Sequence, residues 1–205
     1  GHTDTALVEI VQTAPCFLHG TLIRTDHGDI AVEDLRAGMM VMTYDDGPQP
    51  VRWIGKRTAQ PHASTTPIRI KKGAFGTTSD LLISPLHRVL VQGVTAELLF
   101  GSDEVLVKAR DLINDDTIRP AHDIHDITYY HILFDEHQII WSNDALTESY
   151  QPGPETAESF DDNIQQELAR IIPNLCAKTG QGYGAAARQS LRTYEAALLN
   201  AHQQH

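Results

Sequence analysis

For its first 150 residues or so the chain never sustains an apolar pattern long enough to build a sizeable helix. Its apolar runs are short, rich in β-branched residues and separated by turn formers. They fall at residues 7–11, 21–24, 40–44, 51–54, 68–70, 81–83, 88–91, 105–107 and 129–133. Many short runs with frequent turn signals predict an all-β domain. Asp26-His27-Gly28 and Asp45-Asp46-Gly47-Pro48 predict tight turns, because Gly accepts positive φ and Pro presets φ. Only residues 32–37, 96–99 and 108–113 read as short helical turns.

The pattern changes after Gln151-Pro152-Gly153-Pro154, which reads as a linker. Phe160, Ile164, Leu168, Ile171 and Ile172 recur at helical spacing, with Asp161 and Asp162 suited to the helix N-terminus. Pro173 ends or kinks that helix, and residues 180–184, rich in glycine, form a further break. Ala187, Leu191, Tyr194 and Leu198 predict a second amphipathic helix. The expected organisation is a flanking segment (1–15), a β domain (16–150) and a helical tail (151–205).

Composition narrows the function. Lys plus Arg number 16 and Asp plus Glu 27, a net charge of −11, which repels a phosphate backbone and argues against nucleic-acid binding. Hydrophobic residues at 41% and charged residues at 21% suit a folded globular chain. No apolar run approaches the roughly 18 residues of a membrane span. No signal peptide is visible, and Gly1-His2 reads as a vector remnant behind which a leader could have stood. Cys16 and Cys176 form no disulfide framework, although a single bridge between them stays open. Eleven histidines direct attention to proton and metal chemistry.

Three blocks carry the chemistry. The first runs Cys16-Phe17-Leu18-His19-Gly20-Thr21, then Gly28, then Asp34-Leu35-Arg36-Ala37-Gly38. The second is Ser84-Pro85-Leu86-His87. The third spans Tyr129 to Asn143 and holds His131, Asp135 and His137. In this order and spacing the chain resembles the Hedgehog/intein (Hint) superfamily over roughly residues 14–150, and within it the bacterial Hint-domain proteins that are not ordinary inteins. Ser84-x-x-His87 is similar to the family's Thr-x-x-His motif, and Met39 stands where the family often has an acidic residue. The resemblance implies a mainly β, flattened horseshoe fold with pseudo-twofold halves, followed here by the helical extension.

It also implies self-processing. The thiol of Cys16 would attack the carbonyl of Pro15, and the Pro15–Cys16 amide would become a thioester. An intramolecular attack through a small ring needs little help from proximity, but the amide nitrogen must gain a proton and the oxyanion must be stabilised. By resemblance His87 would protonate the nitrogen and Ser84 would hold the scissile peptide or the oxyanion. The ring of Pro15 crowds the attacked carbonyl, so slow transfer is expected. At the other end, Thr147-Glu148-Ser149 falls where splicing relatives end in His-Asn and a nucleophile: the nucleophile-like Ser149 is present, but Thr147 and Glu148 stand for His and Asn, and Glu148 offers no amide for cyclisation. The expectation is N-terminal cleavage without full splicing. Water, a thiol or another nucleophile would open the thioester, with His131, Asp135 or His137 as its base. The substrate is the chain itself, no cofactor is implied, and a secreted or cell-surface setting follows from the resemblance.

Two alternatives stand beside it. A Hint fold without chemistry could serve as an interaction module. A metal-dependent hydrolase could draw on His122-Asp123-Ile124-His125-Asp126 with His131 and His137, but on a strand or loop that spacing puts the two rings on no common face. A solvated loop is the expectation there, and no metal site is assigned. His19 would be a surface residue near the thiol, and His202 and His205 would lie in a frayed terminus.

Overall fold

The computed structural model describes residues 14–153, 162–172, 174–176 and 179–203. The run at 7–11, the start of the first tail helix at Phe160 and Asp161, and Pro173 lie outside the described residues. The strands are β1 (Phe17–Leu18), β2 (Leu22–Thr25), β3 (Gly28–Ala31), β4 (Met40–Thr43), β5 (Gly47–Pro50), β6 (Trp53–Ala59), β7 (Ile68–Ile70) and β8 (Leu81–Ile83). They continue with β9 (Arg88–Gln92), β10 (Glu104–Lys108), β11 (Ile118–Pro120), β12 (Ile127–Leu133), β13 (Ile139–Ser142), β14 (Ala145–Glu148) and β15 (Gln189–Ser190). The helices are α1 (Val94–Phe100), α2 (Asp162–Ile171) and α3 (Thr193–Gln203), with short 3-10 turns at Val32–Asp34, Ala74–Gly76 and Ala109–Leu112.

Two open sheets result. One runs β11-β7-β8-β1-β12-β6 and the other β15-β10-β9-β14-β13-β2-β4-β5, with β3 on β2. β7 and β8 alternate buried and half-buried side chains and β4 buries every second residue, the signature of strands with one covered face. The turns follow local chemistry. Gly47 closes the β4–β5 hairpin at φ 65° and Gly28 the β2–β3 hairpin at φ 107°. The β13–β14 hairpin, absent from the sequence reading, turns on Asn143 (φ 45°) and Asp144 (φ 71°), two residue types that tolerate the left-handed region. Asn-Asp between two apolar runs was its legible signal.

β12 departs from simple alternation. Six of its seven residues are buried, so both of its faces are covered. Tyr130 and Ile132, with Phe134 beyond the strand, join the main core of the β body. Ile127, Tyr129 and Leu133 join a second core with Ala14, Cys16, Leu18, Trp53 and Tyr150, which the tail completes through Leu168, Ile172, Leu175 and Tyr183. Each buried Leu or Ile among them contributes about 1.5–3 kcal/mol. The tail therefore supplies the layer that β12 needs on its outer face.

The second tail helix differs from the reading of its apolar stripe. Tyr194 and Leu198 are largely exposed, whereas Leu191, Ala196 and Leu199 are buried. The helix begins only at Thr193, and its inner face is fixed by packing on α1 and the 109–112 turn rather than by the 187–191 spacing.

Candidate functional site

Sheet register assembles the site. Phe17 pairs with Tyr130 on β12 and with Ile83 on β8, both antiparallel. One residue back along β1, Cys16 falls beside His131 on one side and Ser84 on the other. His131 in turn pairs with Gly55 on β6. Gly55, His131, Cys16 and Ser84 thus form one row across four strands, and directly opposed residues project their side chains to the same face. The backbone confirms the row on the Ser84 side, where Ser84 N–H donates to Cys16 O at 3.0 Å.

His87 reaches the row by a turn. Its N–H donates to Ser84 O at 3.1 Å, with Pro85 at the position whose φ the ring presets. Gly55 has a different task. A Cβ there would stand 2.1 Å from the Trp53 ring, so only glycine lets the indole lie across the strand beside His131. The two rings are near parallel, 25° apart with centroids 6.4 Å distant.

The junction Ala14-Pro15-Cys16 is buried. The thiol of Cys16 donates to Ala14 O at 3.1 Å and lies 3.5 Å and 3.6 Å from the two ring nitrogens of His131. His131 Nδ1 is 2.9 Å from Pro15 O, the carbonyl of the bond that cleavage would break. A carbonyl oxygen only accepts, so Nδ1 carries the proton and Nε2 keeps a lone pair. Burial pushes the His131 imidazole down to about 3, against the upward pull of the Pro15 hydrogen bond, so the ring is neutral near pH 7.

Ser84 and His87 contact other atoms of the junction. Ser84 Oγ accepts from Cys16 N–H at 3.1 Å and donates to Ala14 O at 3.2 Å, so it holds the Pro15–Cys16 peptide at its nitrogen and does not face the Pro15 oxygen. His87 Nδ1 stands 3.0 Å from Cys16 O, the carbonyl after the junction, and Nε2 stands 3.0 Å from Glu148 O. Two facing carbonyls favour a charged ring, as does the Glu148 carboxylate, but burial outweighs them and pushes His87 below the ordinary imidazole range.

The remaining candidates lie elsewhere. Asp135 is exposed at the end of the β12 strand and pairs with Arg52 at 3.1 Å, so the fold does not bring it to Cys16. His137 is buried, yet it faces Glu148: its Nε2 is 3.2 Å from Glu148 Oε2, off the line of a straight hydrogen bond. His19 is exposed and pairs with Glu33 at 3.3 Å. His122 and His125 are exposed, and Asp123 is held by both terminal nitrogens of Arg69 at 3.0 Å and 2.8 Å. Among the described residues Cys16 and Cys176 are thiols, the first buried and the second exposed, so the pair forms no bridge. No helix of the described residues is long and apolar enough to cross a membrane.

Sequence reasoning missed the surroundings of Glu148. This fully buried carboxylate accepts from Arg88 N–H at 2.9 Å and pairs with the Arg88 guanidinium at 3.3 Å. Burial raises its affinity for a proton, but Arg88, then His137 and His87, outweigh that and hold it below the usual carboxylate range. A charged residue inside an otherwise uncharged strand end, Ala145-Leu146-Thr147-Glu148-Ser149-Tyr150, was the available signal, because a buried charge needs partners. Thr147 and Ser149 act structurally: Thr147 Oγ1 bonds Ser142 Oγ at 2.8 Å, and Ser149 Oγ accepts from Gln138 N–H at 3.0 Å.

These buried groups give stability a pH dependence. His87 and His131 have folded proton affinities below the unfolded value, so between about pH 6.5 and the lower folded values the unfolded chain binds more protons. Stability is full above about pH 6.5 and falls as pH drops, approaching about 1.4 kcal/mol per pH unit for each ring. The lowered Glu148 adds to the loss at still lower pH. Differential scanning calorimetry should show Tm falling as pH is lowered from neutral to mildly acidic; a flat Tm would contradict buried neutral rings.

The family model described as "Hint domain" matches residues 15–154. Among solved structures the chain is similar to a bacterial intein-like domain from Clostridium thermocellum, at 17% identity over 65% of this chain and 98% of that one, with a TM-score of 0.46. It is also similar to the TvoVMA intein, at 13% identity over 65% and 96% of the two chains with a TM-score of 0.45. The MchDnaB-1 intein is similar at 12% identity over 63% and 98%, with a TM-score of 0.41. No curated protein matches.

Proposed function

We propose, because this chain belongs to the Hint domain family and so carries a self-processing fold, that Cys16 cleaves the Pro15–Cys16 bond through a thioester. The observation that carries this reading is the meeting of thiol, imidazole and scissile carbonyl on His131. Its Nδ1–H is 2.9 Å from Pro15 O and its other ring nitrogen 3.6 Å from the thiol.

In the step, Cys16 Sγ bonds to the Pro15 carbonyl carbon as its proton passes to His131 Nε2. His131 Nδ1–H holds the oxygen while negative charge builds on it, the geometry asked of an oxyanion donor. The Pro15–Cys16 C–N bond then breaks, and the proton lost by the thiol ends on the Cys16 nitrogen, which leaves as an amine. Ser84, already hydrogen-bonded to that nitrogen, orients it and its lone pair. His87, bound to Cys16 O, holds the leaving side of the junction and is the nearby group whose charged form would assist proton delivery. Water or a thiol then takes the acyl group from sulfur, releasing residues 1–15 with a new carboxylate or thioester. Glu148 has no amide to cyclise, so the reading stops at N-terminal cleavage.

The reaction is slow in this reading. A ring that burial holds near 3 takes up the thiol proton reluctantly. Cys16 and His87 are 0% exposed and His131 1%, which delays any acceptor. That closure is also what favours a second reading, a silent Hint module.

Intact mass followed over time separates them. Wild type should lose residues 1–15 faster with a small thiol or hydroxylamine, and Cys16→Ala should keep them. A wild-type mass unchanged by either reagent from mildly acidic to mildly alkaline pH would sink the cleavage reading in favour of the silent module.

A further inference from the structure

We propose that His137 is a positioning residue for the cleavage site: held by the backbone of the tail, it fixes Glu148, and through Glu148 the ring of His87 against Cys16. The inference rests on Cys16 being the nucleophile and gives the helical tail a part in that reaction.

The contacts lead from the tail to the junction: three are at hydrogen-bond geometry, and the one between His137 and Glu148 is a close 3.2 Å approach. Ala187 N–H, in the tail, donates to His137 Nδ1 at 3.0 Å. An accepting Nδ1 has no proton, so the hydrogen of the neutral ring is on Nε2, which lies 3.2 Å from Glu148 Oε2 in a contact off the line of a straight hydrogen bond. The Glu148 carboxylate is then held by His137 on one side and by the Arg88 N–H and guanidinium on the other. With its side chain fixed, the Glu148 carbonyl stays 3.0 Å from His87 Nε2, and the opposite nitrogen of the same ring stays 3.0 Å from Cys16 O.

The tail is anchored firmly enough to fix a tautomer. Arg188, next to Ala187, binds Asp45 at 2.7 Å and Glu104 at 2.6 Å. Tyr183 donates to Phe134 O at 3.0 Å. His137 is buried and touches neither Cys16 nor Pro15 within hydrogen-bond distance, so its influence has to pass through Glu148. The charged and titratable neighbours of His87 are Glu148, Arg88 and His131, and Glu148 is the one that His137 controls.

Two substitutions of similar size separate the arms of His137. His137→Asn keeps an acceptor for Ala187 N–H but loses the donor toward Glu148. His137→Gln keeps an N–H near the place of Nε2. On the full chain, the rate of thiol-induced loss of residues 1–15 is followed together with the imidazole nitrogen NMR signals of His87, with Tm as the check on folding. His137→Asn should slow cleavage about 10-fold or more and move the His87 signals. His137→Gln should stay within about 3-fold of wild type with His87 unmoved. Wild-type rates and signals in His137→Asn, or an equal loss in both variants, would overturn the proposal. If wild type itself never cleaves, the reading of Cys16 falls and the NMR arm decides alone: His87 moved by Asn but not by Gln upholds the positioning role, and His87 unmoved by both removes it.

Discussion

His131→Ala should slow the release of residues 1–15 by about 10²–10⁴-fold, the range spanned by loss of a positioned acid–base group. The argument is geometric. One ring faces both the thiol that must lose a proton and the carbonyl oxygen that must gain negative charge. Alanine removes both functions, whereas His131→Asn keeps an N–H near Nδ1 and removes only the base. The three rates should therefore order as wild type, then Asn, then Ala, with the Asn-to-Ala gap reporting the oxyanion contact. Burial of His131 adds a control. Since the ring is neutral across mild pH, the wild-type rate should show no inflection from it there. Mass spectrometry of time courses in a fixed thiol concentration gives all three rates. Equal rates in wild type and His131→Ala would remove the ring from the mechanism and return the task to His87. Asp135→Ala, at an exposed ion pair away from the junction, should leave the rate unchanged.

Glu148→Ala should destabilise the β body by about 3–5 kcal/mol. The carboxylate is fully buried, and its partners Arg88 and His137 are nearly or wholly enclosed. Removing one member of a buried pair leaves a charge without compensation, which costs more than the pair itself contributes. Glu148→Gln should cost less, because its carbonyl still accepts from Arg88 N–H while its amide faces the guanidinium less favourably. Urea denaturation measures both. A loss in Glu148→Ala no larger than that of an exposed pair such as Arg52–Asp135 would mean that Arg88 finds solvent by a small shift, and that the cluster does not fix the end of β14.

Much of the fold was legible. The strand limits at 68–70 and 81–83 agree with the sequence reading, and 40–43, 88–92 and 104–108 differ by a residue or two, because short β-branched runs between turn residues carry their own limits. The β13–β14 hairpin was missed because Asn-Asp is a weaker turn signal than a glycine pair. In the tail, the first helix kept Leu168 and Ile172 on its buried side as its spacing required. The second did not keep Tyr194 and Leu198 there, because a short amphipathic pattern yields to the surface it docks on.

The candidate site was legible as a set of residues and not as a set of roles. Cys16, Ser84, His87 and His131 were all named from motif and spacing, and they converge. Which of His131, Asp135 and His137 stands by the thiol was beyond sequence spacing. His131 lies inside β12, whereas Asp135 and His137 follow its end at Leu133, so the choice depends on where the strand stops and on its register with β1. A slip of one residue would have put Tyr130 beside Cys16 and turned His131 into the main core.

The sequence by itself determined the alternation of strands and turns, the break into a helical tail and the chemical types gathered around Cys16, since each depends on residues close together in the chain. Packing in three dimensions places His131 against the Pro15 carbonyl, Ser84 at the Cys16 amide nitrogen and His87 against Glu148 O, and lays the tail over β12 with its Ala187 N–H on His137. Those relations join residues 50 to 116 positions apart through sheet register and docking, and register is set by the burial of whole faces rather than by any local run.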